Sequence, residues 1–139
     1  MRKLREMYKA MLATYGPQGW WPAKTPTEVI IGAILTQNTA WRNVERAIDN
    51  LRRAKALDWR RLHEMNLEPL AELVRPSGTY RVKARRLKAF IDWFWDRYEG
   101  DLDRMFATSL PALREELLSI SGIGRETADA ILLYAGQLP

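Results

Sequence analysis

The residues that most constrain this chain are those from Thr25 to Leu35. Thr25-Pro26-Thr27-Glu28 puts a threonine at an N-cap, a proline at the first helical position and a glutamate at the third, so a helix starts here. The next stretch, VIIGAILTQN, is apolar on nearly every side, and a helix with no polar face has to lie in the centre of a fold with other elements around it. Gly32 in its middle reads as a point of close packing.

The rest of the chain supplies the surrounding elements. Val44, Ala47, Ile48 and Leu51 recur at the spacing of one helix face, with Arg42, Arg46, Asp49 and Arg53 on the other side. Leu87, Phe90, Ile91, Phe94 and Tyr98 repeat that spacing and predict a helix from about Val82 to Tyr98, stopped by Glu99-Gly100-Asp101. Ser109-Leu110-Pro111 opens a short helix ending near Leu118, and a last one runs from about Arg125 to Ala135. Pro69, Pro76-Ser77-Gly78 and Gly100 mark turns. No alternating strand pattern competes, so the expected class is all-α, one domain over residues 1–139 with no internal repeat.

Composition excludes several function classes. Val29 to Leu35 is the longest apolar run and is too short to cross a bilayer, so no membrane partner is expected. The N-terminus MRKLREMYKA carries Glu6 among its basic residues with no apolar stretch after them, which points to a cytoplasmic protein. With no cysteine, these residues hold no disulfide, zinc-thiolate site or iron–sulfur cluster, although a longer parent chain is free to carry a C-terminal cluster. The net charge of +5 is uneven: residues 1–98 hold 19 Lys and Arg against 10 Asp and Glu, whereas residues 99–139 hold 3 against 7. A basic face suits a polyanion, because neutralising phosphates releases condensed counterions, but charge alone fits an ordinary solvated basic protein equally well.

The decisive segment is Leu117-Leu118-Ser119-Ile120-Ser121-Gly122-Ile123-Gly124-Arg125-Glu126-Thr127-Ala128. Two short helices joined by glycine, one apolar residue and glycine form a tight hairpin whose backbone can approach a ligand closely. The amides after Gly122 and at the start of the second helix are free to donate to a phosphate, with the helix dipole in support. Such a hairpin grips backbone and reads no bases. Ile120 and Ile123 plug it into the core. A lone glycine pair would read as an ordinary helix joint with a glycine C-cap, but here the longer pattern L-x-x-I-x-G-I-G-x-x-T-A is complete.

This segment resembles the helix-hairpin-helix, at about residues 112–136, of the endonuclease III superfamily of DNA glycosylases (HhH-GPD). Ala33-Ile34-Leu35-Thr36-Gln37-Asn38-Thr39 is similar to that family's buried helix ending in a Q-x-T tip, and Ser77-Gly78-Thr79-Tyr80-Arg81-Val82-Lys83-Ala84 to its G-x-Y-x-x-K-A segment. The order of the three resembles the family over residues 25–137. The resemblance implies base-excision repair on double-stranded DNA, in the cytoplasm or nucleoid, by an enzyme that is monomeric at full length. It implies that Gln37 enters the gap left by a flipped nucleotide, against the plainer reading of a polar residue at a helix end. It also implies DNA contacts at Gly122, Ile123, Gly124, Arg125 and Thr127, and a monovalent cation held by the carbonyls of Leu118, Ile120 and Ile123.

Two departures from the family pattern matter. Glu126 stands where bifunctional members place the lysine that attacks the sugar, and a carboxylate cannot form an imine, so a monofunctional glycosylase is expected. The family's catalytic aspartate would fall beyond Pro139, since Asp129 lies inside the last helix, and this chain alone is expected to be inactive. Trp20-Trp21-Pro22 resembles the sub-branch that excises 3-methyladenine, where such residues wall the base pocket with Glu126. A cationic alkylated base stacks well on indole faces, while the plainer alternative has these tryptophans filling core. The other function readings are a monofunctional glycosylase for mispaired or deaminated bases and a non-catalytic DNA-binding module.

Several residues are expected to be bland. His63 has no partner in the pattern, and Arg81, Lys83, Arg85, Arg86 and Lys88 read as a solvated face, part of which meets phosphate in this fold. Without a segment beyond Pro139, Ile131, Leu132 and Leu138 are expected to expose apolar surface through which the chain self-associates.

Overall fold

A computed structural model describes residues 25–37 and 39–134, and these residues are helical with no strand. Trp20, Trp21, Pro22 and Leu138 lie outside the described residues. In chain order the helices are α1 (Pro26–Leu35), α2 (Trp41–Arg53), α3 (Trp59–Glu64), α4 (Leu67–Leu73), a 3-10 turn (Arg75–Ser77), α5 (Tyr80–Tyr98), α6 (Leu102–Ala107), α7 (Leu110–Ser119) and α8 (Arg125–Tyr134).

The capping threonine starts α1 as its chemistry requires: Thr25 Oγ1 accepts the Glu28 amide at 3.2 Å. The Glu28 carboxylate is buried and takes the hydroxyl of Thr25 and the guanidinium of Arg52. From Val29 to Leu35 every side chain of α1 is buried, with α2, α5 and α8 packed around it. Gly32 is the close-packing point: a Cβ there would lie 3.3 Å from the Trp41 ring and 3.5 Å from Ile48 Cδ1. Val44, Ala47, Ile48 and Leu51 bury the inner face of α2.

The longest element, α5, buries Leu87, Phe90, Ile91 and Phe94, and Trp59 of α3 packs its ring edge-on against Phe94 at 5.1 Å. Two residues in the left-handed region, Glu99 (φ 53°) and Gly100 (φ 75°), end it. The short helices α3, α4 and α6 carry no periodicity that the sequence shows. The expected exposure of Ile131 and Leu132 is overturned, because both are buried, at 0% and 4%, where α8 closes against α1 and α7.

Candidate nucleic-acid interface

The hairpin is the joint between α7 and α8. Ile120 donates its amide to the Leu117 carbonyl at 3.1 Å, and Ile123 donates to the Ile120 carbonyl at 3.1 Å, which draws the chain into a tight reversal. Gly122 sits inside it at φ +86°, a region that costs other residues strain. Ile120 and Ile123 are 7% and 5% exposed, so their side chains anchor the turn in the core as their type requires. Gly122, Gly124, Arg125 and Glu126 face outward.

The open donors differ from those the sequence leads one to expect. The amide directly after Gly122 belongs to Ile123 and is used by the turn, so it is not an open donor. Helical bonding in α8 begins with Ala128 donating to the Gly124 carbonyl at 2.9 Å, which leaves the exposed first-turn amides of Arg125 and Glu126 outside the helical ladder. An anion at this point meets both those donors and the positive end of the helix dipole. The two glycines also differ. A Cβ at Gly124 would meet nothing within 4 Å, whereas one at Gly122 would collide with the stem of Arg86, lying 2.9 Å from its Cδ and 3.1 Å from its Nε.

Gln37, just past the end of α1, reaches this same surface. Its Nε2 donates to Thr127 Oγ1 at 3.1 Å, and its Oε1 accepts from Arg86. Residues far apart in sequence, just past α1, on α5 and on α8, therefore meet beside the turn. Thr127 is 5% exposed, and its hydroxyl oxygen accepts from Gln37.

The basic stretch of α5 is less uniform than a solvated face. Arg81 and Arg85 are exposed, but Lys83 is 1% exposed and donates to the Ser77 carbonyl, and Lys88 donates to the Leu62 carbonyl at 3.2 Å and to that of His63 at 2.5 Å. Burial, and secondarily the charge of Arg86, hold the Lys83 ammonium below the usual lysine range. His63 is not without a partner either: its ring stacks on Trp95 at 4.9 Å. Asp129, inside α8, is buried at 3% and bound by Arg114 Nε at 2.7 Å. The Ile120 carbonyl already accepts from Ile123, which leaves it one lone pair; the described residues contain no cluster of three His, Cys, Asp or Glu side chains able to hold a metal.

Comparison with known proteins agrees with this geometry. Residues 31–93 match the family model of the HhH-GPD superfamily base excision DNA repair protein, and residues 108–134 match that of the helix-hairpin-helix motif. A protein of Methanocaldococcus jannaschii described as a DNA repair glycosylase is 49% identical over 132 residues, and endonuclease III of Thermotoga maritima is 32% identical over 114. These matches cover 94% and 82% of this chain but only 60% and 49% of the two relatives. Among solved structures, the 3-methyladenine DNA glycosylase of H. pylori bound to 1,N6-ethenoadenine superimposes with a TM-score of 0.77 at 32% identity, over 99% of this chain and 65% of that one. A non-covalent endonuclease III–DNA complex superimposes at 0.69 with 25% identity, over 96% of this chain and 57% of that one. The chain is thus similar to the HhH-GPD superfamily of base excision DNA repair proteins over residues 31–93, and to the helix-hairpin-helix motif over residues 108–134.

Proposed function

We propose that this chain is the DNA-gripping part of a monofunctional DNA glycosylase that hydrolyses the N-glycosidic bond of a flipped, alkylated purine such as 3-methyladenine. The observation that carries the reading is the meeting of the α1 tip with the hairpin, where Gln37 lies 3.1 Å from Thr127 beside the exposed Gly124-Arg125-Glu126 backbone. The hairpin amides take a backbone phosphate while Gln37 fills the space of the extruded nucleotide. The carbonyls of Leu118, Ile120 and Ile123 are the proposed holders of a monovalent cation that bridges turn and phosphate. Trp20, Trp21, Pro22 and Glu126 are the proposed walls of the base pocket, and the likeness to the H. pylori 3-methyladenine glycosylase favours that lesion.

None of the described residues is assigned as the catalytic carboxylate: Asp129 is buried and ion-paired, and Glu126 stands at the lyase-lysine position. An alkylated base is already a good leaving group, so stacking, one carboxylate and an ordered water suffice for its hydrolysis. Base release is tested with the intact protein on duplexes carrying 3-methyladenine, a deaminated base or a mismatch. Release of 3-methyladenine with the abasic strand left uncut is expected. Release only from the mismatch or deaminated duplex would move the substrate to the second glycosylase class, and DNA binding with no release from any duplex would leave a binding module.

A further inference from the structure

We propose that Arg86 and Thr127 are positioning residues that lock the Gln37 side chain to the hairpin, so that the gap-filling tip and the phosphate grip act as one preorganised unit. The proposal rests on the reading of Gln37 given above and adds the device that aims it.

Both ends of the Gln37 amide are engaged. Its Nε2 donates to the Thr127 hydroxyl at 3.1 Å and its Oε1 accepts from the Arg86 guanidinium. A guanidinium has donors only, so the amide oxygen must be the end that faces it, and the orientation of the amide is fixed by its neighbours. Thr127 is itself held, buried at 5% on α8 just behind the exposed amides of Arg125 and Glu126. Arg86 is held by the turn: its stem lies across Gly122, in the space a Cβ would occupy. The glycine therefore serves the clamp as well as the backbone approach to DNA. A glutamine free to sample its rotamers would lose that freedom each time it entered a duplex, and holding it in advance removes the cost from binding.

The test compares affinity of the chain for an undamaged duplex with that for the same duplex carrying a tetrahydrofuran abasic-site analogue. The ratio of the two cancels the sequence-independent phosphate attraction that any lost arginine weakens. Gln37→Ala is expected to abolish the preference for the abasic duplex. Arg86→Met and Thr127→Val are each expected to reduce it by about fivefold, the worth of one hydrogen bond, and the double variant by no more than either alone. Arg86→Lys, which keeps charge and stem, replaces Arg86→Met if the latter does not fold. It is expected to restore affinity for undamaged DNA but not the preference.

If Gln37→Ala removes the preference while the Arg86 and Thr127 variants leave it intact, the clamp is refuted and the reading of Gln37 stands. Effects that multiply in the double variant would mean independent roles and refute the clamp likewise. So would a rise in preference, which would mean that the contacts restrain Gln37. No preference in the unaltered chain, or one indifferent to Gln37→Ala, would overturn the reading of the tip and the clamp with it.

Discussion

Arg114 and Asp129 tie the two helices of the hairpin together, with Nε of the guanidinium 2.7 Å from Oδ1 of a carboxylate whose side chain is 5% exposed. The carboxylate's hydrogen bond, and then its charge, raise the Arg114 guanidinium above its ordinary value. Removing one partner strands the other, and the buried carboxylate suffers more than an arginine that reaches water. Arg114→Ala is therefore expected to lower the melting temperature more than Asp129→Asn, whose neutral amide still accepts a hydrogen bond. Thermal melts of the two variants check the order.

Lys83 makes stability depend on pH in a direction opposite to that of an ion-paired lysine. Burial and the Arg86 charge depress its ammonium below the ordinary value of 10.5. The unfolded chain then binds a proton that the folded chain has released, over the interval just below 10.5, and stability rises as pH climbs through that interval. The neutral amine still donates to the Ser77 carbonyl. Relative to Lys83→Met, the unaltered chain should gain stability in urea melts between neutral pH and about 10. A difference that stays constant over that range would contradict the burial assigned to this amine.

These residues also show where the sequence was legible. The start of α1 was, because its cap lies within four consecutive residues, and so was the hairpin, whose turn geometry demands glycine. The helices α3 and α4 were not, because six or seven residues give too few repeats for a periodicity, and neither Asp58 nor Asn66 makes a side-chain cap bond. For α6 a signal existed: Asp101, read only as part of the stop of α5, also caps the next helix by accepting from Asp103 and Arg104 at 3.0 and 3.3 Å. The roles of Lys83 and Arg86 were hidden in a basic cluster, since Gln37 is 49 residues from its partner Arg86 and 90 from its partner Thr127. No local pattern carries such pairings.

The two hairpin glycines should separate grip from architecture. At Gly122 an alanine would have to adopt φ +86°, at a cost of about 1–2 kcal/mol, and would push Arg86 off its seat. Gly122→Ala should thus lower both stability and the preference for abasic DNA. At Gly124 the added methyl points into open space, so Gly124→Ala should cost the fold less than about 1 kcal/mol. It should still weaken binding to damaged and undamaged duplexes alike, because only the backbone approach is obstructed. Urea melts combined with DNA titrations distinguish the two; equal effects of both substitutions on stability would contradict the assignment.

The Glu126 position makes the most direct chemical prediction. A lyase attacks the aldehyde of an abasic sugar with an amine, loses water to give an imine, and is caught covalently when borohydride supplies hydride to that imine. Glu126 is exposed in the first turn of α8, next to the open amide of Arg125 and one residue from Thr127, and its carboxylate cannot take the step. The amine of Lys83 is buried at 1% against the Ser77 carbonyl and cannot reach a sugar. The unaltered chain, mixed with an abasic-site duplex and borohydride, should give no adduct, whereas Glu126→Lys should give one, because it puts an amine at the proposed lyase position. Trapping by the unaltered chain would overturn the monofunctional reading. If neither protein is trapped although both bind the duplex, position 126 does not face the abasic sugar, and Glu126 has to be removed from the proposed base pocket.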